Sequence, residues 1–290
     1  MKKSKTLTAF VLACFAVIAA VAVIAGKSKK ADAAEATQYI YRISGESRYE
    51  TAIKVADELK NYTGVSRFDS VVIASGLSFP DALAGSYLAI KKDAPILLIA
   101  NNQKYIDMVS SYVKENLKSN GTVYILGGEG AVSAECEEAF SDFNVERLSG
   151  TGRIETNLAI LEEAGVTDED ILVCTAGGFP DSLSASATGR PILLVGRSLT
   201  EEQKEWLASL EGNGNKFYII GGTGVVGAAV ENEIKAYADE APTRLAGSDR
   251  FNTSILIAEE FFPSAHGMTL AYSHNFPDGL SGGPLAAACG

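Results

Sequence analysis

One stretch of this sequence occurs three times, which restricts the fold to an assembly of like units. Arg42-Ile43-Ser44-Gly45-Glu46-Ser47-Arg48-Tyr49-Glu50-Thr51 returns as Arg147-Leu148-Ser149-Gly150-Thr151-Gly152-Arg153-Ile154-Glu155-Thr156. It returns again as Arg244-Leu245-Ala246-Gly247-Ser248-Asp249-Arg250-Phe251-Asn252-Thr253, at spacings of 105 and 97 residues. A second landmark, Phe79-Pro80-Asp81, recurs as Phe179-Pro180-Asp181 and Phe276-Pro277-Asp278. Pro95-Ile96-Leu97-Leu98 recurs as Pro191-Ile192-Leu193-Leu194, and Ile125-Leu126-Gly127-Gly128 as Ile219-Ile220-Gly221-Gly222. The order never changes. The repeats divide the chain into modules at 39–143, 144–241 and 242–290. The third carries only the first two landmarks, so it is expected to be incomplete, as in a fragment of a longer protein.

Within a repeat, helical and strand patterns alternate. The first is expected to run as a short strand at Tyr41–Ser44, then a helix at Arg48–Leu59, a strand at Ser70–Ala74 and a helix at Pro80–Ile90. A strand at Ile96–Ala100, a helix at Lys104–Leu117, a strand at Thr122–Leu126 and a helix at Ser133–Phe140 follow. The strands are continuous apolar runs, as in parallel sheets covered on both faces. The fold class is therefore α/β, with tandem Rossmann-like modules and mainly parallel sheets, the third truncated.

The N-terminus stands apart. Lys2, Lys3 and Lys5 precede an apolar run from Leu7 to Gly26, followed by Ala31-Asp32-Ala33. This describes a signal peptide over residues 1–33 or, because the run is about 20 residues long, a retained signal anchor. Either places the remainder outside the cytoplasmic membrane, touching it only through that segment. Residues 34–290 keep 19 of the 25 basic and 35 of the 36 acidic residues, a formal charge of −16. Such a surface argues against nucleic acid as a partner. Cys136, Cys174 and Cys289 are scattered and do not form a disulfide framework; Cys174 lies in an apolar run and reads as a buried thiol.

Each landmark has a structural reading. Proline suits the first turn of a helix, and Asp81, Asp181 and Asp278 beside it read as helix-capping groups at the positive end of the dipole. Pro-Ile-Leu-Leu reads as a buried central strand. Gly222-Thr223-Gly224-Val225-Val226-Gly227 matches a dinucleotide fingerprint, but Ser133 stands where the first copy would need the third glycine, so no cofactor is expected. Six of the nine arginines fall in the repeated pair, Arg42 and Arg48, Arg147 and Arg153, Arg244 and Arg250. Guanidinium forks grip carboxylate or phosphate. These side chains either cradle an anionic polymer or clamp modules together. His266 and His274 are the only histidines, and no Gly-x-Ser-x-Gly elbow exists, so no catalytic or metal site is expected in this region.

The ordered landmarks resemble the type 2 cell-wall-binding repeat family of Gram-positive bacteria, across roughly residues 39–290. The resemblance implies three modules about a pseudo-threefold axis. It also implies a secreted, wall-located protein held noncovalently to an anionic secondary polymer, teichoic-acid-like or polysaccharide, in association with peptidoglycan. It implicates Ile96, Leu97, Leu98, Ile192, Leu193 and Leu194 in that binding. Ser182 and Gly279 depart from the family's alanine. Because members often join such repeats to a catalytic domain, an N-acetylmuramoyl-L-alanine amidase type of hydrolase, with its catalytic part beyond residue 290, is the alternative function.

Overall fold

Apolar runs bounded by glycine, proline and capping residues become strands, and the amphipathic stretches between them become helices. The computed structural model describes residues 40–265 and 267–289. The expected leader at residues 1–33, and His266, lie outside that set. The first repeat gives α1 (Arg48–Thr63), β1 (Phe68–Ser75), α2 (Pro80–Lys91), β2 (Ile96–Ile99), α3 (Gln103–Asn116), β3 (Leu117–Leu126) and α4 (Ala134–Glu138). Then come β4 (Asn144–Leu148), α5 (Arg153–Ala164), β5 (Ile171–Thr175), α6 (Pro180–Ala185) with a 3-10 turn (Ser186–Thr188), and β6 (Ile192–Val195). α7 (Glu201–Ala208), β7 (Phe217–Ile220), α8 (Ala228–Ile234), β8 (Thr243–Leu245), α9 (Arg250–Phe261), α10 (Pro277–Leu280) and α11 (Gly282–Cys289) complete the order.

Two four-stranded sheets result, ordered β2-β1-β3-β4 and β6-β5-β7-β8, and every pairing is parallel. The fold is α/β, as expected. The strand that opens a repeat, however, belongs to the sheet of the repeat before it. β4 pairs with β3, placing Arg147 beside Ile125, and β8 pairs with β7, placing Arg244 beside Ile219. This corrects the expected strand at Tyr41–Ser44, where no strand forms. Its counterparts are strands only because a preceding sheet offers an edge, and the described residues contain no such sheet for residues 41–44.

The third repeat differs in the same way. Residues 267–272, the counterpart of β1 and β5, make no strand, and the helix after Phe276 is broken at Ser281 into α10 and α11. Gly279, Gly282 and Gly283 make that segment a weak helix former. Residues Ile43–Pro263 and Gly267–Gly290 cluster as one unit; the described residues outside it, 40–42 and 264–265, carry neither helix nor strand.

The larger core joins the repeats. Tyr87, Leu88 and Leu126 of the first share it with Leu158, Leu161, Leu172 and Leu194 of the second, and with Ile257 and Leu280 of the third. A second cluster, including Phe68, Ile73, Leu97, Val113 and Phe140, belongs to the first sheet. Burial of this apolar surface is the main force holding repeat to repeat.

Candidate functional site: the arginine-bearing junctions

The repeated opening motif folds locally for a visible reason. The backbone N–H of Gly45 donates to Thr51 Oγ1 at 3.1 Å, Gly150 to Thr156 at 3.0 Å and Gly247 to Thr253 at 3.1 Å. A Cβ at any of these glycines would collide with the backbone of the following helix, which explains the fixed Gly and Thr. The motif thereby projects its two arginines in different directions.

The first arginine clamps the preceding sheet. Arg147 places Nε at 2.9 Å and Nη2 at 2.6 Å from Glu137 Oε2, and Nη1 at 2.7 Å from the Gly127 carbonyl. Arg244 repeats this with Glu231 Oε2 at 3.3 and 2.7 Å and the Gly221 carbonyl at 2.6 Å. Hydrogen bonding to Arg244 holds the Glu231 carboxyl below its ordinary value. Gly127 and Gly221 have φ of 94° and 98°, and a side chain there would strike Asp81 Oδ2 or Asp181 Oδ2. The Gly-Gly and Phe-Pro-Asp landmarks therefore meet. Arg42, the first arginine of the first repeat, is exposed.

The second arginine serves the helix-opening loops. Arg48 Nη1 donates to the Gly76 carbonyl at 2.5 Å, Arg153 to Ala176 at 2.6 Å and Arg250 to Ser273 at 2.7 Å. Each also lies over a phenylalanine of another repeat. Arg153 is 5.7 Å from the Phe79 ring, Arg250 5.9 Å from Phe179 and Arg48 6.0 Å from Phe276. These separations are within cation–π range. The three rings meet one another at 5.8, 5.7 and 5.7 Å, close to an equilateral triangle with two edge-on contacts and one tilted one.

Asp81 is buried, and burial raises its carboxyl above the ordinary range, with Arg153 partly offsetting this; Asp181 behaves likewise with Arg250. Asp81, Asp181 and Asp278 lie in the first turns of their helices. The N-cap residues are Phe79, Phe179 and Phe276, which make no side-chain cap bond.

Ile96, Leu97, Leu98, Ile192, Leu193 and Leu194 are buried in β2 and β6, at most 2% exposed. Their side chains face core and meet no solvent. Two residues that sequence reasoning missed complete the β6 edge. Asn157 accepts from Leu194 N at 2.7 Å and donates to the Ile192 carbonyl at 2.8 Å, and Gln203 donates to the Leu194 carbonyl at 2.8 Å. The signal for Asn157 was a lone amide on the apolar face of a helix.

Polar contacts between repeats were also missed. Tyr87 and Lys91 reach Glu169, while Lys92 and Tyr124 reach Glu163. Tyr218 reaches Glu260, and Arg190 lies 4.4 Å over the Phe261 ring. Nothing in the local sequence marks them, because each joins residues about forty to eighty positions apart on different elements or loops.

Comparison with known proteins settles the class. The pattern of cell wall binding domain 2 (CWB2) matches residues 42–137, 147–231 and 244–290, so this chain belongs to that family. The chain is 26% identical over 256 residues to the N-acetylmuramoyl-L-alanine amidase LytC of Bacillus subtilis (strain 168), covering 86% of this chain and 48% of that protein. It is 29% identical over 123 residues to the amidase enhancer of the same organism, covering 42% of this chain and 16% of that one. Among solved structures, Cwp6 from Clostridium difficile aligns with a TM-score of 0.75 at 26% identity, over 89% of this chain and 43% of that one. Cwp8 from Clostridium difficile aligns at 0.74 and 28%, over 85% and 43%. The chain spans less than half the length of each of these proteins. Its family and relatives place it as a cell-wall-binding protein of the wall or cell surface.

Proposed function

We propose that this chain, once secreted under the direction of residues 1–33, holds its protein on the wall of a Gram-positive bacterium. It does so by binding an anionic secondary polymer, teichoic-acid-like or polysaccharide, at Arg48, Arg153 and Arg250. Residues 39–143, 144–241 and 242–290 act as three modules arranged in a pseudo-threefold ring. The near-equal phenylalanine triangle, and the cyclic order in which each arginine stacks on another repeat's ring, support that arrangement.

The single observation that carries the polymer reading is the contrast between the two arginine sets. Arg147 and Arg244 are neutralised by Glu137 and Glu231, with side chains 16% and 18% exposed. Arg153 and Arg250 are exposed and Arg48 is half-buried, and each donates a hydrogen bond to a backbone carbonyl and pairs with no carboxylate among the described residues. A guanidinium carries five donors, so donors remain for an anionic ligand. In a chain with a net charge of −16 beyond residue 33, attraction to a polyanion has to be local. Ile96–Leu98 and Ile192–Leu194 contribute by fixing the sheet edges beneath the loops, and Arg147 and Arg244 by holding strands in place.

The test is sedimentation with purified walls, before and after secondary polymers are stripped. A combined Arg48→Gln, Arg153→Gln, Arg250→Gln variant with an unchanged circular dichroism spectrum is expected to stay in solution, whereas the parent sediments only with unstripped walls. Equal retention of folded variant and parent overturns the proposal. A second reading, that the whole protein is a wall hydrolase of amidase type, draws on the name of the LytC relative. Muropeptide release from walls by the full-length protein would favour it.

A further inference from the structure

Both sheets end in the same kind of crevice. In the order β2-β1-β3-β4 the chain leaves β1 towards β2, through α2, and leaves β3 towards β4, through α4. The carboxyl ends of β1 and β3 are therefore neighbours whose connections diverge, and β5 and β7 repeat this in the second sheet. Ligands of open α/β sheets settle at such a switch point, outside the strand ends. Its floor here is Gly127, directly after β3, or Gly221, directly after β7. The space above is open, since a Cβ on Gly128, Gly130, Gly222 or Gly224 would meet nothing within 4 Å.

One group in the crevice has no bonding partner. Asp81 is 9% exposed, and its Oδ2 faces Gly127, where a Cβ would come within 2.6 Å of it. Its carboxylate accepts no hydrogen bond and makes no ion pair among the described residues. Asp181, half-buried, faces Gly221 in the same way and is equally unbonded. Helix capping, the role the sequence suggests, would tie an oxygen to a free N–H of the first turn, and no such bond forms. A carboxylate withdrawn from water without donors is costly, so the crevice fits a ligand that brings them.

The surrounding charges restrict that ligand. Arg153 bears electrostatically on Asp81, and Arg250 on Asp181, so a cationic donor is disfavoured there. An anion placed on the aspartate would meet like charge. Neutral hydroxyl donors remain. A sugar ring holds neighbouring hydroxyls in fixed positions, whereas an open polyol loses entropy in ordering them. Arg153 and Arg250 meanwhile keep free donors for an anion beside the ring.

We propose that each crevice holds one sugar ring of the wall polymer, its hydroxyls donating to Asp81 or Asp181 while Arg153 or Arg250 grips the anionic group attached to that ring. This assignment rests on polymer binding through the arginines and narrows the polymer to one carrying anionic sugar units.

The test is retention of the full chain on purified walls in the presence of glucose 1-phosphate or glycerol 1-phosphate, which carries the same anion without a ring. Glucose 1-phosphate is expected to displace the parent at concentrations at least roughly tenfold lower, the range for added hydrogen bonds to a charged group. Equal displacement by the two compounds overturns the proposal, and this comparison needs no variant. The paired Asp81→Asn, Asp181→Asn substitution keeps the shape of both side chains and removes their charge. It is expected to weaken wall retention roughly tenfold and to erase the difference between the competitors, with a urea midpoint no lower than the parent's. If the Arg48, Arg153 and Arg250 variant loses retention while the aspartate pair keeps both retention and sugar preference, the sugar assignment fails and polymer binding stands. If the folded arginine variant is fully retained, both fall together.

Discussion

The two arginines of each repeat stand six residues apart, yet in the second and third repeats they occupy opposite physical situations. At the sheet seam, Arg147 and Arg244 each make three hydrogen bonds, two to a glutamate and one to a glycine carbonyl. At the phenylalanine triangle, Arg48, Arg153 and Arg250 touch one carbonyl and one ring face each. The difference comes from topology. The seam arginine rides on a strand added to the previous sheet, so it meets the glutamate of the helix after that sheet's Gly-Gly turn. The second arginine opens a helix and meets only loops. Residue type and repetition do not tell structure from binding; the partner within reach does.

The seam is expected to break most severely at its glycines. Gly127→Ala or Gly221→Ala would force a side chain into a left-handed conformation and against the oxygen of an aspartate, buried Asp81 or half-buried Asp181. Backbone strain and overpacking together are worth about 3 kcal/mol. Urea denaturation of either variant should show a loss of that size. A loss below about 1 kcal/mol would mean that the Gly–Asp contact is not close in solution.

Next in size is the exchange between the arginine sets. Arg147→Ala or Arg244→Ala leaves a partly buried glutamate and a carbonyl without their donor, a cost of about 2 kcal/mol. Arg153→Ala removes one carbonyl bond and an exposed ring contact, a cost under about 1 kcal/mol. Wall retention should rank them the other way, with Arg153→Ala losing more. If both variants lost stability and retention in the same proportion, the division between clamp and ligand site would fail.

Much of this was legible in the sequence for a physical reason. Apolar runs such as Val71–Ala74 and Ile96–Ile99 carry their own strand signal, and Phe-Pro-Asp carries its own helix start, so the expected elements of the first repeat from α1 onward appear within a few residues of their places. β3 starts earlier than expected, at Leu117, because Phe68 offers it a partner. What no local pattern could carry was ownership. The strand at Asn144–Leu148 reads as the start of a new unit, although its hydrogen bonds close the old one. The phenylalanine triangle likewise exists only between repeats, and repetition alone hinted at it. The apolar triplets carry a buried-strand pattern and, by resemblance, an implied role in binding. Burial assigns their side chains to the core, leaving backbone placement as their contribution to any site.

The smallest effect, and the finest test of the contrast, is the response to acid. Glu231 at the seam has its folded carboxyl held below the ordinary 4.5, chiefly by its hydrogen bond from Arg244. It therefore contributes stability that is fully present above that ordinary value and is lost as pH falls through the depressed one. Asp81 at the triangle has its folded carboxyl raised above the ordinary 3.8 by burial, which outweighs Arg153. Between those two values the folded chain binds more protons than the unfolded one, so Asp81 costs stability above its raised value and the cost disappears on acidification. Glu231→Gln should thus be less stable than the parent at neutral pH, with the deficit closing as pH falls below the depressed Glu231 value. Asp81→Asn should be slightly more stable at neutral pH, with the gain vanishing in acid. Urea midpoints of parent and both variants from neutral pH down through the carboxylate range would decide it. Curves shifted in the same direction would show that both carboxylates occupy one kind of environment, and the separation of seam from triangle would go with them.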